Sequence, residues 1–165
     1  MSIDPARAAQ RSVAIARLDV PTFEEVEADH TSTPEAGSVV VAASVIGSIG
    51  TLFVNGFGGF IAFILINIIG WFIWAWLSAF IAEKVFDVQT TDTGEMLRTT
   101  GYAYAPRALG LIPFLGFIGA IWSLVAIVIG MRQAAEMTTT QAIITAVIGF
   151  LPAIIAMFIV TSILL

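Results

Sequence analysis

The chain has 165 residues, of which 58% are hydrophobic and only 12% are charged. Soluble domains are about half apolar and about a quarter charged, which excludes a soluble globular fold as the starting class. Disorder needs low hydrophobicity with high charge and is excluded too. The net charge of −5 argues against nucleic acid, and the absence of cysteine removes disulfides and thiolate metal sites. What remains is a small, single-domain integral membrane protein.

The N-terminus, from Met1 to Arg7, has no apolar h-region, so no cleaved signal peptide is expected and the first apolar run acts as an uncleaved anchor. Residues Pro5 to Leu18 read as a helix with Arg7, Gln10, Arg11 and Arg17 on one side and Ala9, Val13, Ile15 and Ala16 on the other. Two readings stand: a helix lying on an anionic membrane surface, or a solvated or protein-packed helix. Pro21 opens a second short helix, with Thr22 and Glu25 at capping-box spacing. Residues 1–33 thus form a cytosolic or interfacial helical tail, too small to be a domain of its own. The membrane domain is expected over residues 34–165.

Residues Ala36 to Ala82 contain no charge. At roughly 20 residues per crossing, that run holds two spans and a turn. Asn55-Gly56-Phe57-Gly58-Gly59 is the turn, giving a first helix from about Ala36 to Val54 and a second from about Phe60 to Ala82. Thr33 is placed to cap the first, with Pro34 at its first helical position. Glu83-Lys84 marks where the second leaves the membrane. After a polar loop, Asp92 and Glu95 have capping-box spacing. The helix they start is expected to run through Tyr102 to a kink at Pro106. Ala108 to Met131 and Met137 to Leu165 are the remaining uncharged runs. Thr138 and Gln141 form a further capping box, and Pro152 lies inside the last helix.

The segment from about Glu95 to Pro113 leaves the topology open. If it spans, there are five crossings; if it dips in and returns, there are four. The 7 basic residues are Arg7, Arg11, Arg17, Lys84, Arg98, Arg107 and Arg132. With five crossings every basic loop residue falls on one side, with the N-terminus inside; with four, Arg132 falls outside. Against five, Arg107 lies near mid-membrane, which costs about 2.5–3.5 kcal/mol on insertion scales. The expected fold is an all-α bundle of about five membrane-embedded segments, four full spans plus a short, proline-broken third.

Little of the chain points to catalysis. The one histidine, His30, precedes the first apolar run. A Ser-His-Asp site within the membrane is therefore impossible, as are bis-histidine haem and histidine-ligated chlorophyll. Glu24, Glu25, Glu27 and Asp29 read as a solvated acidic helix face rather than paired catalytic carboxylates or a metal site. No carboxylate lies within an apolar run, so an ion-coupled transporter ranks low. Asn67 is the amide well inside a helix, placed to hydrogen-bond a neighbouring helix or to coordinate a ligand, and it joins Trp71, Trp74 and Trp76 as a candidate partner or lipid face. Trp71, Trp74 and Trp76, with Phe72 and Phe80, read as lipid anchors or as a flat surface for a partner helix or a hydrophobic cofactor such as a quinone or carotenoid. Small residues four apart recur at Ala43/Gly47, Ala75/Ala79, Gly116/Ala120, Ala126/Gly130 and Ala142/Ala146. They permit close helix approach, within one chain or toward a partner.

The segment Leu97-Arg98-Thr99-Thr100-Gly101-Tyr102-Ala103-Tyr104-Ala105-Pro106 resembles the Gly-Tyr-x-x-x-Pro segment of Yip1-domain membrane proteins. Pro113, then Ile121-Trp122-Ser123-Leu124-Val125-Ala126, then Gly130-Met131-Arg132, is similar to the family's following helix. Ala16 to Asp19 with Phe23 to Asp29 resembles the stretch ahead of the first span in bacterial members. The resemblance covers about residues 16–150. It implies a helical membrane domain of about five segments, a cytosolic N-terminus and a prokaryotic, cytoplasmic-membrane setting. Eukaryotic relatives bind Rab-type GTPases; the Asp-Leu-Tyr-Gly-Pro motif they carry is missing here, so Rab binding does not carry over. Within the motif, Gly101 permits close backbone approach and Pro106 frees a carbonyl that Tyr102 or a neighbouring helix can use, predicting a structural joint.

The expected function is non-enzymatic, through contacts with lipids, other membrane proteins or a second copy, with no cofactor. The alternative is an accessory subunit of a respiratory or photosynthetic complex. A small transporter or channel ranks third.

Overall fold

Residues 3–88, 91–112 and 114–164 are described by a computed structural model of the chain. They form helices and connecting turns, with no strand among the described residues. The tail carries α1 (Pro5–Ala16) and α2 (Val20–Ala28), joined by a 3-10 turn at His30–Ser32 to the long α3 (Thr33–Phe86). Then come α4 (Thr93–Tyr102), a 3-10 segment (Ala105–Leu111), α5 (Leu115–Ala134) and α6 (Thr139–Leu164).

α3 is two arms, not one rod. Gly56 has φ 64° and ψ −165°, inside an otherwise helical run. That backbone region is essentially closed to residues with a Cβ, which is why glycine stands at the break. The arms, 33–55 and 57–86, fold back on each other: Gly37 lies against the Trp71 ring, with a built Cβ 3.6 Å from Cη2. An arm of about 23 residues is ~34 Å long at 1.5 Å per residue, enough to cross the hydrocarbon layer.

The remaining elements pass back and forth alongside this hairpin. α4 starts beside the tail, where Arg98 donates to the Glu27 carbonyl at 2.6 and 2.9 Å. The 3-10 segment continues down the first arm to the level of Gly47 and Gly50. α5 returns, with Gly119 beside Pro106 and Gly130 beside Phe23 of α2. α6 runs back along the second arm, where Gly149 meets Trp74.

Several helix ends differ from the sequence expectation. α2 is capped by Asp19, whose carboxylate accepts from the Thr22 N–H at 3.2 Å; Glu25 turns instead to Arg11, so the Thr22–Glu25 box does not form. α3 begins at Thr33 rather than being capped by it, and the preceding Ser32 donates to the Val26 carbonyl. The boxes at Asp92/Glu95 and Thr138/Gln141 are both reciprocal. α4 stops at Tyr102 instead of running on to Pro106. The reason is local: Pro106 has no N–H for the Tyr102 carbonyl and its ring clashes there. α6 continues as helix through Pro152.

Two helical stretches are long and apolar enough to cross a membrane, the one containing α3 and α5; a shorter apolar helix covers Thr139–Pro152. Their outward faces are strongly apolar. Phe53 is 85% exposed, Phe114 94% and Phe117 72%. A soluble monomer does not display apolar surface on this scale, so the protein is membrane-associated.

Candidate functional site

The centre of the tail–bundle junction is Glu35, in the first turn of α3, directly ahead of the charge-free span, and 1% exposed. Its carboxylate accepts from Arg7 Nε at 3.0 and 3.2 Å and from Arg7 Nη2. It also accepts from Arg11 Nη1 at 3.3 Å and from the Tyr102 hydroxyl at 3.0 Å. Arg11, itself buried, reaches onward to Glu25 at 2.6 Å and Asp29 at 3.0 Å. Two arginines of α1, two acids of α2 and its cap, one acid of α3 and one tyrosine of α4 thus form one network.

Such a network holds because each charge has an opposite neighbour. Burial disfavours the charge on Glu35, but the bonds from Arg7 and Tyr102 outweigh it and hold the carboxyl below its usual range. Asp29 is lowered by the Thr31 hydroxyl and by Arg11. The acids of α2 are therefore not a uniformly solvated face: Glu25 and Asp29 are ion-paired with Arg11. Likewise α1 is protein-packed, burying Ala8, Arg11 and Ile15.

A second acidic group behaves differently. Glu27 faces Glu95, Glu136 and Glu24, with Arg98 as the neighbouring cation, and partial burial with these like charges pushes it up to about 7. Among the described residues, no group of three His, Cys, Asp or Glu side chains is placed to hold a metal ion.

The described family-motif residues lie in and around this network. Gly101 packs where a Cβ would meet the Ala36 Cβ at 2.9 Å and the Trp71 ring at 3.1 Å. Tyr102 is fully buried and the helix ends there. The Ala103 carbonyl, freed by that end, accepts from Ser123 of α5 at 2.6 Å. Pro106 is buried in the first turn of the 3-10 segment, and Pro113 lies outside the described residues. Trp122 donates from its indole N–H to the Ala16 carbonyl at 2.7 Å, tying α5 to the end of α1. Gly130 lets Phe23 and Thr99 come within 3.2 and 3.3 Å of its built Cβ. Apart from Pro113, these residues, spread over the sequence, line one junction between tail, α4 and α5.

The aromatic helix is divided. Trp71 and Trp74 are 3% and 2% exposed, and Trp71 donates to Thr100 Oγ1 at 3.2 Å. Trp76 is 57% exposed and stacks on Phe80, with Phe72 also outward. The four sequence candidates for an outer face therefore separate: Trp71, Trp74 and Asn67 are buried, and Trp76 is on the surface. Asn67 donates to the Phe63 carbonyl and accepts from Arg107 Nη1 at 2.6 Å. The small-residue pairs Ala43/Gly47, Ala75/Ala79, Ala126/Gly130 and Ala142/Ala146 are all buried inside the chain.

The sequence reading missed the Glu35 network. Its partners lie 24 to 67 residues away. The one local signal was an acid directly ahead of a long charge-free run.

No curated protein and no solved structure matches the chain. The family model for the Yip1 domain matches residues 21–163, taking in α2, the buried Tyr102 joint and all later helices. With most of its length matched, the chain belongs to the Yip1-domain family.

Proposed function

We propose that this protein is a non-enzymatic, multi-spanning membrane protein of prokaryotic type that acts through helix contacts with partners, lipids or a second copy. Five crossings are proposed: the two arms of α3 from residue 36 onward, the α4–3-10 segment, α5 and α6. The N-terminus is placed in the cytosol. The stretch 54–59 around the Gly56 break and the sequence 111–115 carry no charge, whereas the tail, 83–98 and 132–136 carry nearly all of it. That asymmetry supports the orientation.

The observation that carries the reading is how the polar groups are used. The arginines and acids of the junction bond to each other and weld the tail onto the bundle, while the outward surface is apolar. Such a molecule offers surface rather than a reaction centre. Cross-linking in native membranes is expected to give discrete adducts; a strict monomer without neighbours would count against the proposal.

The exposed Phe72, Trp76 and Phe80 favour one second reading, an accessory subunit docked through this stripe. Purification in mild detergent separates the two: a stable subunit elutes with its complex, whereas a chain always found at its own mass does not.

A further inference from the structure

Arg107 is a charge in an unusual place. It lies in the 3-10 segment, level with Gly47 of the first arm, whose built Cβ meets the Arg107 carbonyl oxygen at 2.5 Å. Gly47 is nine residues from the Gly56 break and twelve from Glu35, or ~14 and ~18 Å along the helix at 1.5 Å per residue. The guanidinium does not reach for either end of the bundle. Its Nη1 is held at 2.6 Å by Asn67, at similar depth on the second arm, and its carbon lies 4.3 Å from the centre of the Tyr104 ring.

Neither contact neutralises it. An amide oxygen and an aromatic face carry no net charge, so neither offsets that of a guanidinium. Its Nε has no hydrogen-bond partner, and no carboxylate lies within ion-pair distance of it among the described residues. The other basic residues lie in the tail, at 84 and 98, or at 132, whereas Arg107 sits level with Gly47, where α1 also packs: Ile3 and Pro5 line a cavity with Ile46, Ala105 and Ala108. An ionisable group at this depth normally pairs with an opposite charge or marks a pathway.

We propose that Arg107 is the recognition point for a carboxylate on a transmembrane helix of another protein. This rests on the membrane-spanning reading above. A second copy of the chain does not fit, because no Asp or Glu occurs between residues 36 and 82, 96 and 135, or 137 and 165. A lipid phosphate does not fit either, because headgroups lie at the edges of a core about 30 Å thick. Arg107 is half-buried with its Nε enclosed, so a partner helix meets it through the part of the residue that is exposed.

The full chain is labelled at a single introduced thiol, Gly58→Cys, a position with no atom within 4 Å of a built Cβ in a chain free of native cysteine. It is reconstituted in phosphatidylcholine vesicles with a labelled leucine-alanine transmembrane peptide carrying Glu, Gln or Leu at its centre. Energy transfer is expected to show at least tenfold tighter association for the Glu peptide. Arg107→Gln abolishes that preference, and Arg107→Lys keeps part of it. Equal association of the three wild-type pairs, which needs no variant to fold, overturns the proposal. So does a Glu preference that survives Arg107→Gln, or one abolished by adding phosphatidylglycerol, which would assign the site to lipid. Arg107-dependent transfer between copies without peptide also overturns it. The spanning reading is read separately: if the thiol of the Gly58→Cys chain is not labelled from the face opposite the tail, that reading fails, whatever the peptides do.

Discussion

Tyr102 at the end of α4 donates its hydroxyl to the Glu35 carboxylate at the start of α3, at 3.0 Å across 67 residues of chain. The bond joins the point where the tail enters the bundle to the point where α4 breaks. Glu35 is also the shared acceptor for Arg7 and Arg11, so the two residues of this pair are not equivalent. Tyr102→Phe removes one bond of several and is expected to cost about 1 kcal/mol. Glu35→Ala leaves two arginines facing a vacated site and is expected to cost about 3–5 kcal/mol. Thermal unfolding in detergent checks both, and equal small losses would contradict a shared buried acceptor.

Glu27 predicts a pH effect of the opposite sign from the paired acids. Its carboxyl is pushed up to about 7 from the usual 4.5, by burial and by Glu95, Glu136 and Glu24, against Arg98. The folded state therefore holds this proton more tightly than the unfolded state. The resulting stability is complete below the unfolded value and is lost as pH rises through about 7. The side chain is only partly buried, so solvent screening limits the effect to about 1 kcal/mol. Glu27→Gln is expected to raise the melting temperature at pH 8 and to leave it unchanged at pH 4. A difference that does not vary with pH would count against this account.

The same chemical change is expected to act with opposite sign at two glycines. Gly47→Ala places a methyl 2.5 Å from the Arg107 carbonyl oxygen, a backbone atom that cannot rotate away. The 3-10 segment must shift, at about 1–3 kcal/mol. Gly58→Ala meets nothing within 4 Å and gains helix propensity, about 0.5–1 kcal/mol. Side-by-side melting curves decide; similar losses at both positions would mean that packing at Gly47 is not close.

Trp122→Phe deletes the donor to the Ala16 carbonyl and keeps most of the ring's apolar area. About 1 kcal/mol of anchoring is lost, equivalent to roughly fivefold faster local opening. Hydrogen exchange is expected to speed up over residues 13–18 and not over α5. Uniform acceleration across the chain would show a global effect instead.

How much of this was legible beforehand follows from where each signal sits. The charge-free runs and the boxes at Asp92/Glu95 and Thr138/Gln141 are local patterns; the turn expected over 55–59 narrows to a break at Gly56, with Asn55 and Phe57 to Gly59 helical. A kink at Pro106 is the sequence expectation; the helix instead ends four residues earlier, at Tyr102, whose carbonyl the proline leaves unpaired. The division of the tryptophans was legible in principle. Trp71, Trp74, Ala75, Ser78 and Ala82 share one helical face, and Phe72, Trp76 and Phe80 share another. Reading the aromatics as a cluster hid that phase.

The sequence by itself determined the class, the apolar segments and the turn that splits α3, because hydrophobic burial and backbone sterics act on neighbours in the chain. Only the tertiary structure decided what the scarce charges do. Arg7, Arg11, Glu25, Asp29 and Glu35 form a closed junction, while Arg107, level with Gly47, has an amide and a ring but, among the described residues, no opposite charge. The physical reason is range: a charge is satisfied by whatever group the fold brings within about 4 Å, and here that group is tens of residues away in sequence.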